Sequence, residues 1–250
     1  MMNEATIEKL IEMRMTSMAD ALRQQMEDNS MDQLSFMERI GLIVDREYCS
    51  RKNNRLKRLI QHADFDQTQA SIADINYASA RKLNRNQLLD LANCNYILNA
   101  YNIILLGAAG SGKSYLACAL GMEACKKFYT VKYIRLPELF IELEAARAEG
   151  RFPKVIEQYS KYKLLILDEW LLIKLLEVQA RDLLEIIHAR HKHASTIFCS
   201  QFAPAGWHLK IGEPTLADAI LDRIVHDSYT IEIHSEGINM RHEYGLKPNL

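Results

Sequence analysis

The chain has 250 residues, of which 48% are hydrophobic and 25% are charged. This composition is typical of a folded protein with one sizeable domain and a smaller one, and it excludes a disordered, collagen-like or disulfide-stapled chain. The formal net charge of -1 excludes a protein that is basic throughout, although it can conceal local basic segments. No apolar run approaches the roughly 18 residues that a membrane-spanning helix requires, so we expect no membrane segment.

The amino-terminal segment carries acidic and basic residues within its first dozen positions and has no apolar core followed by a cleavage site. We therefore expect a cytoplasmic protein without a signal peptide. The cysteines agree with this expectation, because they are odd in number, widely spaced and include no CxxC pair. We interpret them as reduced thiols.

The first part of the chain has a helical pattern. Apolar residues recur at intervals of three or four from Ile7 to Met26, which predicts one amphipathic helix of about 20 residues. Ser35 and Glu38 have the spacing of a capping box, and helical periodicity continues after them to about residue 61. We predict a small all-helical amino-terminal domain over residues 1–66 that serves in self-association or in contact with a partner or DNA.

From about residue 86 the pattern changes to short β-branched apolar runs that alternate with segments of helix length. This alternation predicts an α/β domain over residues 67–250 with a mostly parallel five-stranded sheet. The predicted strands are residues 102–107, 131–136, 163–168, 196–200 and 229–233.

The first predicted strand runs directly into a glycine-rich sequence that opens a helix, GAAGSGKS at residues 107–114. This is the pattern of a phosphate-binding loop, in which backbone N–H groups and the positive end of the helix face phosphate oxygens. Lys113 is expected to reach the β- and γ-phosphates, and Ser114 to ligate Mg²⁺. The predicted nucleotide-binding residues here are Gly107, Ala108, Ala109, Gly110, Ser111, Gly112, Lys113, Ser114 and Tyr115.

An acidic pair lies at the carboxyl end of the buried strand in KLLILDEW, the position where open α/β sheets bind their ligands. Asp168 is expected to hold Mg²⁺ through its water shell, and Glu169 to orient or polarise the attacking water. The sequence contains neither an NKxD nor a DxxG motif. Hydrolysis coupled to a conformational change is therefore favoured over phosphoryl transfer to a metabolite.

Basic residues cluster between Arg46 and Arg58 against the single acid Glu47. On a helix, several of them share a face that can follow DNA phosphates without reading bases, although a solvated helix face explains the pattern equally well. A second basic group precedes the α/β part. The candidate DNA-binding residues are Arg51, Lys52, Arg55, Arg58, Arg81 and Lys82. The histidines at positions 188, 191 and 193 lack an evident carboxylate partner and are interpreted as surface residues.

The segments GAAGSGKSYLACALG, LLILDEW, RDLLEII, STIFCSQF and PTLADAILDRIVH occur in this order. Together they resemble the IstB-like ATP-binding proteins, the helper ATPases of bacterial insertion sequences, which are similar to the DnaC helicase loader within the AAA+ class. The resemblance runs from about residue 80 to residue 241. It implies an AAA+ P-loop domain, and ATP and Mg²⁺ as cofactors. Only 17 residues follow Ile233, too few for the helical lid domain usual in this class, so we expect a reduced or absent lid.

Three further site residues follow from the resemblance alone. Ser200, or its neighbour Gln201, takes the place of sensor 1, the polar residue that contacts the γ-phosphate or the water. Arg223 aligns with the arginine finger that such ATPases insert into a neighbour's site, where it neutralises charge on the transferred phosphoryl group. Arg241 takes the place of the family's late arginine, a sensor 2 candidate.

The resemblance implies an ATPase that oligomerises on duplex DNA, with ATP sites at subunit interfaces, and that prepares or presents target DNA to the transposase of the same element. Two alternatives stay open: a DnaC-like helicase loader that binds single-stranded DNA, and a nucleotide-switched DNA-coating protein with little turnover. A metabolite kinase is disfavoured, because the finger and sensor residues would need another explanation. The sequence also departs from the family where Leu171 follows Trp170 in place of the common glycine, so we expect a different loop there.

Overall fold

The computed structural model describes residues 2–77 and 82–234 of the chain. The chain forms two compact units, with the boundary between Arg58 and Leu59 inside a long helix. The described part of the first unit is helical, and that of the second contains a five-stranded sheet with helices around it. The predicted α/β fold with a helical region before it is confirmed. Within the described ranges, no helix combines the length and the apolarity needed to cross a membrane.

Helices of unequal length make up the first unit, and the longest of them continues past the unit boundary. The predicted long second helix is confirmed, but the first predicted helix is two helices. The elements are α1 (Met2–Glu12), α2 (Thr16–Glu27), a short 3-10 helix (Asn29–Gln33) and α3 (Phe36–Ala63).

The break between α1 and α2 lies at Arg14, which has a φ angle of 59°. The N–H of Arg14 donates to the carbonyl of Ile11, and the N–H of Met15 donates to that of Leu10. These two bonds form a Schellman motif, which ends a helix with one left-handed residue. The prediction of a single helix is therefore wrong, because the apolar periodicity continues across a break that no glycine marks.

Polar contacts set the start of α3 and its packing on α2. The predicted capping box is present, since the Ser35 N–H donates to Glu38 Oε2 at 2.8 Å and the Glu38 N–H donates to Ser35 Oγ at 3.4 Å. Further along α3, the carboxylate of Glu47 accepts the N–H of Met18 at 3.0 Å. This bond joins the start of α2 to the middle of α3, and Glu47 is buried where the two helices meet.

All neighbouring strands of the sheet are parallel, and their order is β2-β3-β4-β1-β5. Each of the five predicted strands is present. Because the strands share one direction, the loops that follow them lie along a single edge of the sheet, where ligands of such sheets bind. The strands are β1 (Asn102–Leu106), β2 (Val131–Arg135), β3 (Leu164–Trp170), β4 (Ser195–Ser200) and β5 (Ser228–Glu232).

Several helices of the second unit have a proline at their first or second position, which suits the first helical turn because proline has no N–H to leave unbonded. Others begin at polar caps, such as Asn84, whose side chain accepts the N–H of Gln87. The helices are α4 (Arg85–Ala92), α5 (Asn95–Leu98), α6 (Lys113–Lys126), α7 (Leu136–Ala148), α8 (Phe152–Lys161), α9 (Glu177–Arg190), α10 (Pro204–Ile211) and α11 (Pro214–Val225).

The sheet is buried on both faces, since side chains of a strand alternate between them. Leu165 and Leu167 of β3 belong to a core cluster that α7 to α11 complete. Ile166, which lies between them, contacts α6 on the other face. The continuous apolar run of β3 is the pattern expected of a central parallel strand.

Helix α6 packs closely against its surroundings at Gly121. A Cβ atom placed there would lie 2.5 Å from Phe65 Cε1 and 2.9 Å from Ile166 Cδ1, which is closer than atoms can approach. The glycine thus lets α6 lie between the sheet and the aromatic ring of Phe65. This contact fixes the helix that carries the phosphate-binding loop at its start.

All five cysteines are free thiols, and four of them are buried. Burial raises the pKa of the Cys118 thiol to about 12, so this group stays protonated at neutral pH. The buried cysteines act as small apolar residues of the core, in agreement with their interpretation as reduced thiols.

Candidate nucleotide-binding site

The glycine-rich loop connects the carboxyl end of β1 to the first turn of α6. A Cβ atom at Gly107 would lie 2.6 Å from Ser111 Oγ and 2.7 Å from the carbonyl oxygen of Ile233, so no side chain fits there. Gly112 precedes the first residue of α6 with a φ angle of 94°, a conformation that glycine adopts readily. The loop therefore has its shape because glycines occupy these two positions.

Lys113 is the first residue of α6, and only 8% of its surface is exposed. Its Nζ donates to the carbonyls of Gly107 at 2.8 Å and Ala108 at 2.7 Å. The ammonium group thus lies against the loop that precedes it. Its charge adds to the positive end of α6, and both attract phosphate oxygens to this point.

Asp168 lies near the end of β3 and is 5% exposed. Its Oδ2 accepts the hydroxyl hydrogen of Tyr133 at 2.8 Å, and its Oδ1 accepts the N–H of Glu169 at 2.7 Å. Burial raises the pKa of Tyr133, and the neighbouring Asp168 carboxylate raises it further. The tyrosine therefore remains protonated and acts as the donor of this hydrogen bond.

Glu169 follows with a φ angle of 53°, at the point where the pairing of β3 with β4 becomes irregular. This backbone turns its side chain away from the regular alternation of the strand. The Glu169 Oε2 atom lies 3.5 Å from Arg135 Nε at the end of β2. The acidic pair is thus divided between two partners, Tyr133 for Asp168 and Arg135 for Glu169.

The two sensor 1 candidates lie in different surroundings at the end of β4. Ser200 is 1% exposed, and its hydroxyl donates to the carbonyl of Trp170 at 3.2 Å. The same oxygen accepts the indole N–H of Trp207 at 3.1 Å. Ser200 is not among the described residues that line the cavity, whereas Gln201 is. The geometry favours Gln201 for contact with a ligand and gives Ser200 a structural role.

The two predicted arginines that remain lie elsewhere. Arg223 is near the end of α11, where its guanidinium donates to the carbonyl of Ala219 at 2.7 Å, and it is not among the described residues that line the cavity. Its own carbonyl oxygen lies 3.2 Å from His191 Nδ1. Arg241 lies outside the described residues.

A cavity of about 660 Å³ joins the loop to the acidic pair, and its size suits a nucleotide. The predicted residues that line it are Ala109, Gly110, Gly112, Lys113, Ser114, Tyr115, Asp168 and Glu169. The sequence did not predict the other described residues of the lining, except Gln201. These are Asp66, Gln67, Asp74, Ile75, Asn76, Leu83, Leu116, Tyr133, Arg135, Trp170, Leu172 and Cys199.

Described residues of the segment before α4 also line the cavity. This segment is tied to α6 by Tyr115, whose hydroxyl oxygen accepts the N–H of Ser71 at 3.2 Å. Ile75 and Leu83 supply apolar surface there, and Asn76 an amide group. This combination suits a flat heterocycle with polar edges. A sequence signal for it was lacking, since the segment has neither a motif nor a regular period.

The residues present fit a magnesium ion that arrives with phosphate. In the described ranges, no three His, Cys, Asp or Glu side chains converge into a metal-binding group. Mg²⁺ at a nucleotide needs few protein ligands, because it keeps several waters and takes oxygens from the phosphates. Ser114 and Asp168 both line the cavity, with a hydroxyl and a carboxylate of the kind such a site would use.

The candidate DNA-binding residues of α3 are exposed. Arg51 is partly neutralised, because its Nε lies 2.6 Å from Glu47 Oε1. The Lys52 ammonium lies 4.6 Å from the ring centroid of Tyr48, and Arg58 Nε donates to the carbonyl of Asn54 at 3.3 Å. In the second basic group, Lys82 is exposed and Arg81 lies outside the described residues.

Solved structures with the same fold include DnaI, with a TM-score of 0.57 and 23% identity over 69% of this chain and 91% of that one. AMPPCP-bound DnaA from Aquifex aeolicus has a TM-score of 0.58 and 19% identity over 72% of this chain and 54% of that one. The DnaC helicase loader has a TM-score of 0.53 and 18% identity over 66% and 96% of the two chains. The sheet order, the loop after β1 and the acidic pair on β3 thus define a P-loop domain of the AAA+ class.

Proteins with similar sequences show which family of this class the chain belongs to. An insertion-sequence ATP-binding protein of Sinorhizobium fredii, y4pL, is 39% identical over 238 residues, which cover 95% of this chain and 97% of that protein. The ATP-binding protein of insertion sequence IS1162 from Pseudomonas fluorescens is 38% identical over 201 residues, or 80% and 87% of the two chains. Residues 8–245 match the defining sequence pattern of the IstB-like ATP-binding proteins. The chain belongs to this family, and the resemblance found in its sequence is confirmed.

Proposed function

We propose that this protein hydrolyses ATP with Mg²⁺, forms an oligomer on duplex DNA in the ATP-bound state, and so prepares or presents target DNA to the transposase of its insertion sequence. The observation that carries the proposal is the single cavity lined by both Lys113 and the acidic pair Asp168 and Glu169. A phosphate-binding group and two carboxylates in one cavity are what nucleotide hydrolysis requires.

The phosphates of ATP would bind beside the backbone of the loop and the ammonium of Lys113. Ser114 and Asp168 would hold Mg²⁺, which would supply neutralisation of the phosphate charge. The heterocycle would lie beside Ile75 and Leu83, which also line the cavity. The size of the cavity, about 660 Å³, is sufficient for all parts of one nucleotide.

Glu169 would accept a proton from the attacking water or orient it, since its carboxylate lines the cavity and is 36% exposed. Gln201 would hold the water or the γ-phosphate through its amide group. Glu169 lies near the carboxyl end of β3 and Gln201 directly follows β4, on the same edge of the sheet, so they can approach one phosphate together.

Arg223 would complete the site of a neighbouring subunit. It lies outside the lining of the cavity in its own chain, and its helix ends beside His191. A guanidinium that arrives from a second copy would neutralise the charge that develops during phosphoryl transfer. Hydrolysis would then be coupled to assembly, because each complete site needs two subunits.

Contact with DNA would use the exposed basic residues of α3. Lys52, Arg55 and Arg58 lie on exposed turns of this helix and can follow phosphates, with affinity that falls as salt is added. The names of the relatives place those proteins in insertion sequences, which supports a transposase as the partner. A role on DNA would place the protein in the cytoplasm, the location that the sequence predicts.

The test is mass photometry of the full chain with a duplex of about 50 base pairs and a slowly hydrolysed ATP analogue, with and without Mg²⁺. The proposal predicts large assemblies that need duplex, analogue and Mg²⁺ together. Lys113→Ala should abolish them. Lys126→Ala is the matched control, because Lys126 lies on the same helix and forms only an exposed ion pair with Glu123.

Each other outcome contradicts part of the proposal. Binding of monomers to single strands alone would favour a helicase loader. Assembly without measurable turnover would favour a nucleotide-switched coat on DNA. Normal assembly by Lys113→Ala would overturn the role of the phosphate-binding loop.

A further inference from the structure

Two strands bring Tyr133 and Asp168 together. Tyr133 lies on β2 and Asp168 on the neighbouring β3, and the tyrosine hydroxyl donates to Asp168 Oδ2 at 2.8 Å. Only 6% of Tyr133 and 5% of Asp168 are exposed, yet both line the cavity. The bond is therefore buried and lies at the wall of the site.

Both oxygens of the Asp168 carboxylate are held. The hydroxyl of Tyr133 binds Oδ2, and the N–H of Glu169 binds Oδ1 at 2.7 Å. A carboxylate has about four lone-pair positions, so each oxygen can still accept one further hydrogen bond. Two donors on the protein side fix the plane of the group and leave its remaining lone pairs for water on the cavity side.

We propose that Tyr133 is a positioning residue that orients Asp168 toward the hydrated Mg²⁺ of the bound nucleotide. A neutral hydroxyl suits this role, because it fixes the carboxylate without neutralising the charge that attracts the cation. Groups that hydrogen-bond to a ligating carboxylate contribute strongly to metal affinity. The inference rests on the proposed function, since it assumes that the cavity binds a nucleotide with Mg²⁺.

The chain contains a matched control for the loss of a buried tyrosine–carboxylate bond. Tyr159 is 1% exposed, and its hydroxyl donates to Glu142 Oε2 at 2.6 Å. Neither Tyr159 nor Glu142 is among the described residues that line the cavity. Tyr133→Phe and Tyr159→Phe therefore each remove one buried tyrosine–carboxylate hydrogen bond. The first bond lies at the site and the second lies outside it.

The experiment titrates Mg²⁺ against the binding of a fluorescent, non-hydrolysable ATP analogue to the full chain, and measures Mn²⁺ bound to the same complex by electron paramagnetic resonance. Tyr133→Phe should raise the Mg²⁺ concentration for half-maximal effect about tenfold and weaken Mn²⁺ binding to a similar extent. Nucleotide affinity at saturating Mg²⁺ should stay within about twofold of wild type. Tyr159→Phe should leave both titrations unchanged.

A double variant separates the loss of the Tyr133 hydroxyl from any change in packing. Adding Tyr133→Phe to Asp168→Asn should weaken Mg²⁺ binding no further, because the group that the hydroxyl orients has lost its charge. An additive loss in the double variant would overturn the inference. A wild-type titration curve for Tyr133→Phe would also overturn it, as would equal shifts in both tyrosine variants. Absence of any Mg²⁺ effect on the wild-type protein would overturn the proposed function as well.

Discussion

Arg135 and Glu169 form an ion pair across the ends of two neighbouring strands, with Arg135 Nε 3.5 Å from Glu169 Oε2. Arg135 is paired in register with Asp168, so its side chain reaches one residue further along β3. It lies at the same distance, 3.5 Å, from Glu138 Oε1. The carboxylate proposed to act on water therefore lies beside a cation, and that cation also lies near a second carboxylate.

Release of this ion pair should increase turnover. In Arg135→Gln, Glu169 loses the cation that holds its carboxylate, so the carboxylate can turn toward the attacking water. Because partly exposed pairs contribute up to about 1 kcal/mol, we expect a rise of about two- to fivefold in ATP turnover without DNA. Steady-state phosphate release measures this. Glu138→Gln is the control, and a fall in turnover of Arg135→Gln would instead assign Arg135 to the phosphates.

Glu169→Gln separates binding from chemistry. The amide keeps the size of the side chain but cannot accept a proton, so turnover should fall by about 100-fold or more. Binding of ATP and of DNA should remain, and assemblies on duplex should persist after ATP is added. Phosphate release and mass photometry on the same samples give both results. Unchanged hydrolysis would move the catalytic role to another residue.

The two residues at the end of β4 should respond differently to truncation. Ser200→Ala removes a buried hydroxyl that bonds to Trp170 and Trp207, so it should lower the free energy of unfolding by about 1–3 kcal/mol. Gln201→Ala should leave stability unchanged and reduce turnover, because its side chain lines the cavity. Urea unfolding and phosphate release distinguish them. Full activity of Gln201→Ala would return the sensor role to Ser200.

Mixing two inactive variants should restore activity if Arg223 acts on a neighbour. Lys113→Ala lacks a working site but keeps its arginine, and Arg223→Ala keeps its site but lacks the arginine. Some interfaces in the mixture pair the intact site of one with the intact arginine of the other. Turnover of the mixture should therefore exceed the sum of the two variants measured alone. Simple addition of the two rates would place Arg223 outside the site of the neighbour.

Local patterns made part of the site predictable. The loop around Lys113 and the acids at the end of β3 each belong to a short sequence motif. Their chemistry follows from the residue types and spacing of that motif. The roles of Tyr133 and Arg135 depend on the register between β2 and β3, which no local pattern specifies. Strand alternation shows only that these two residues share a face of β2.

The same distinction applies to the fold. The five strands were predictable from apolar runs, and the start of α3 from the capping box at Ser35 and Glu38. The break at Arg14 was not, because the left-handed residue that ends α1 is not a glycine. The choice between Ser200 and Gln201 also required coordinates, since of these two residues Gln201 is the one found in the lining of the cavity.

The close packing at Gly121 has an evolutionary consequence. Even the smallest side chain at this position would collide with Phe65 and Ile166, so single substitutions should be eliminated by selection. The two neighbours differ in how far they can move, because Ile166 belongs to β3, an interior strand of the sheet, whereas Phe65 lies outside the sheet. Lineages in which residue 121 has changed should therefore carry a smaller residue at position 65. The residues at the two positions should covary among relatives.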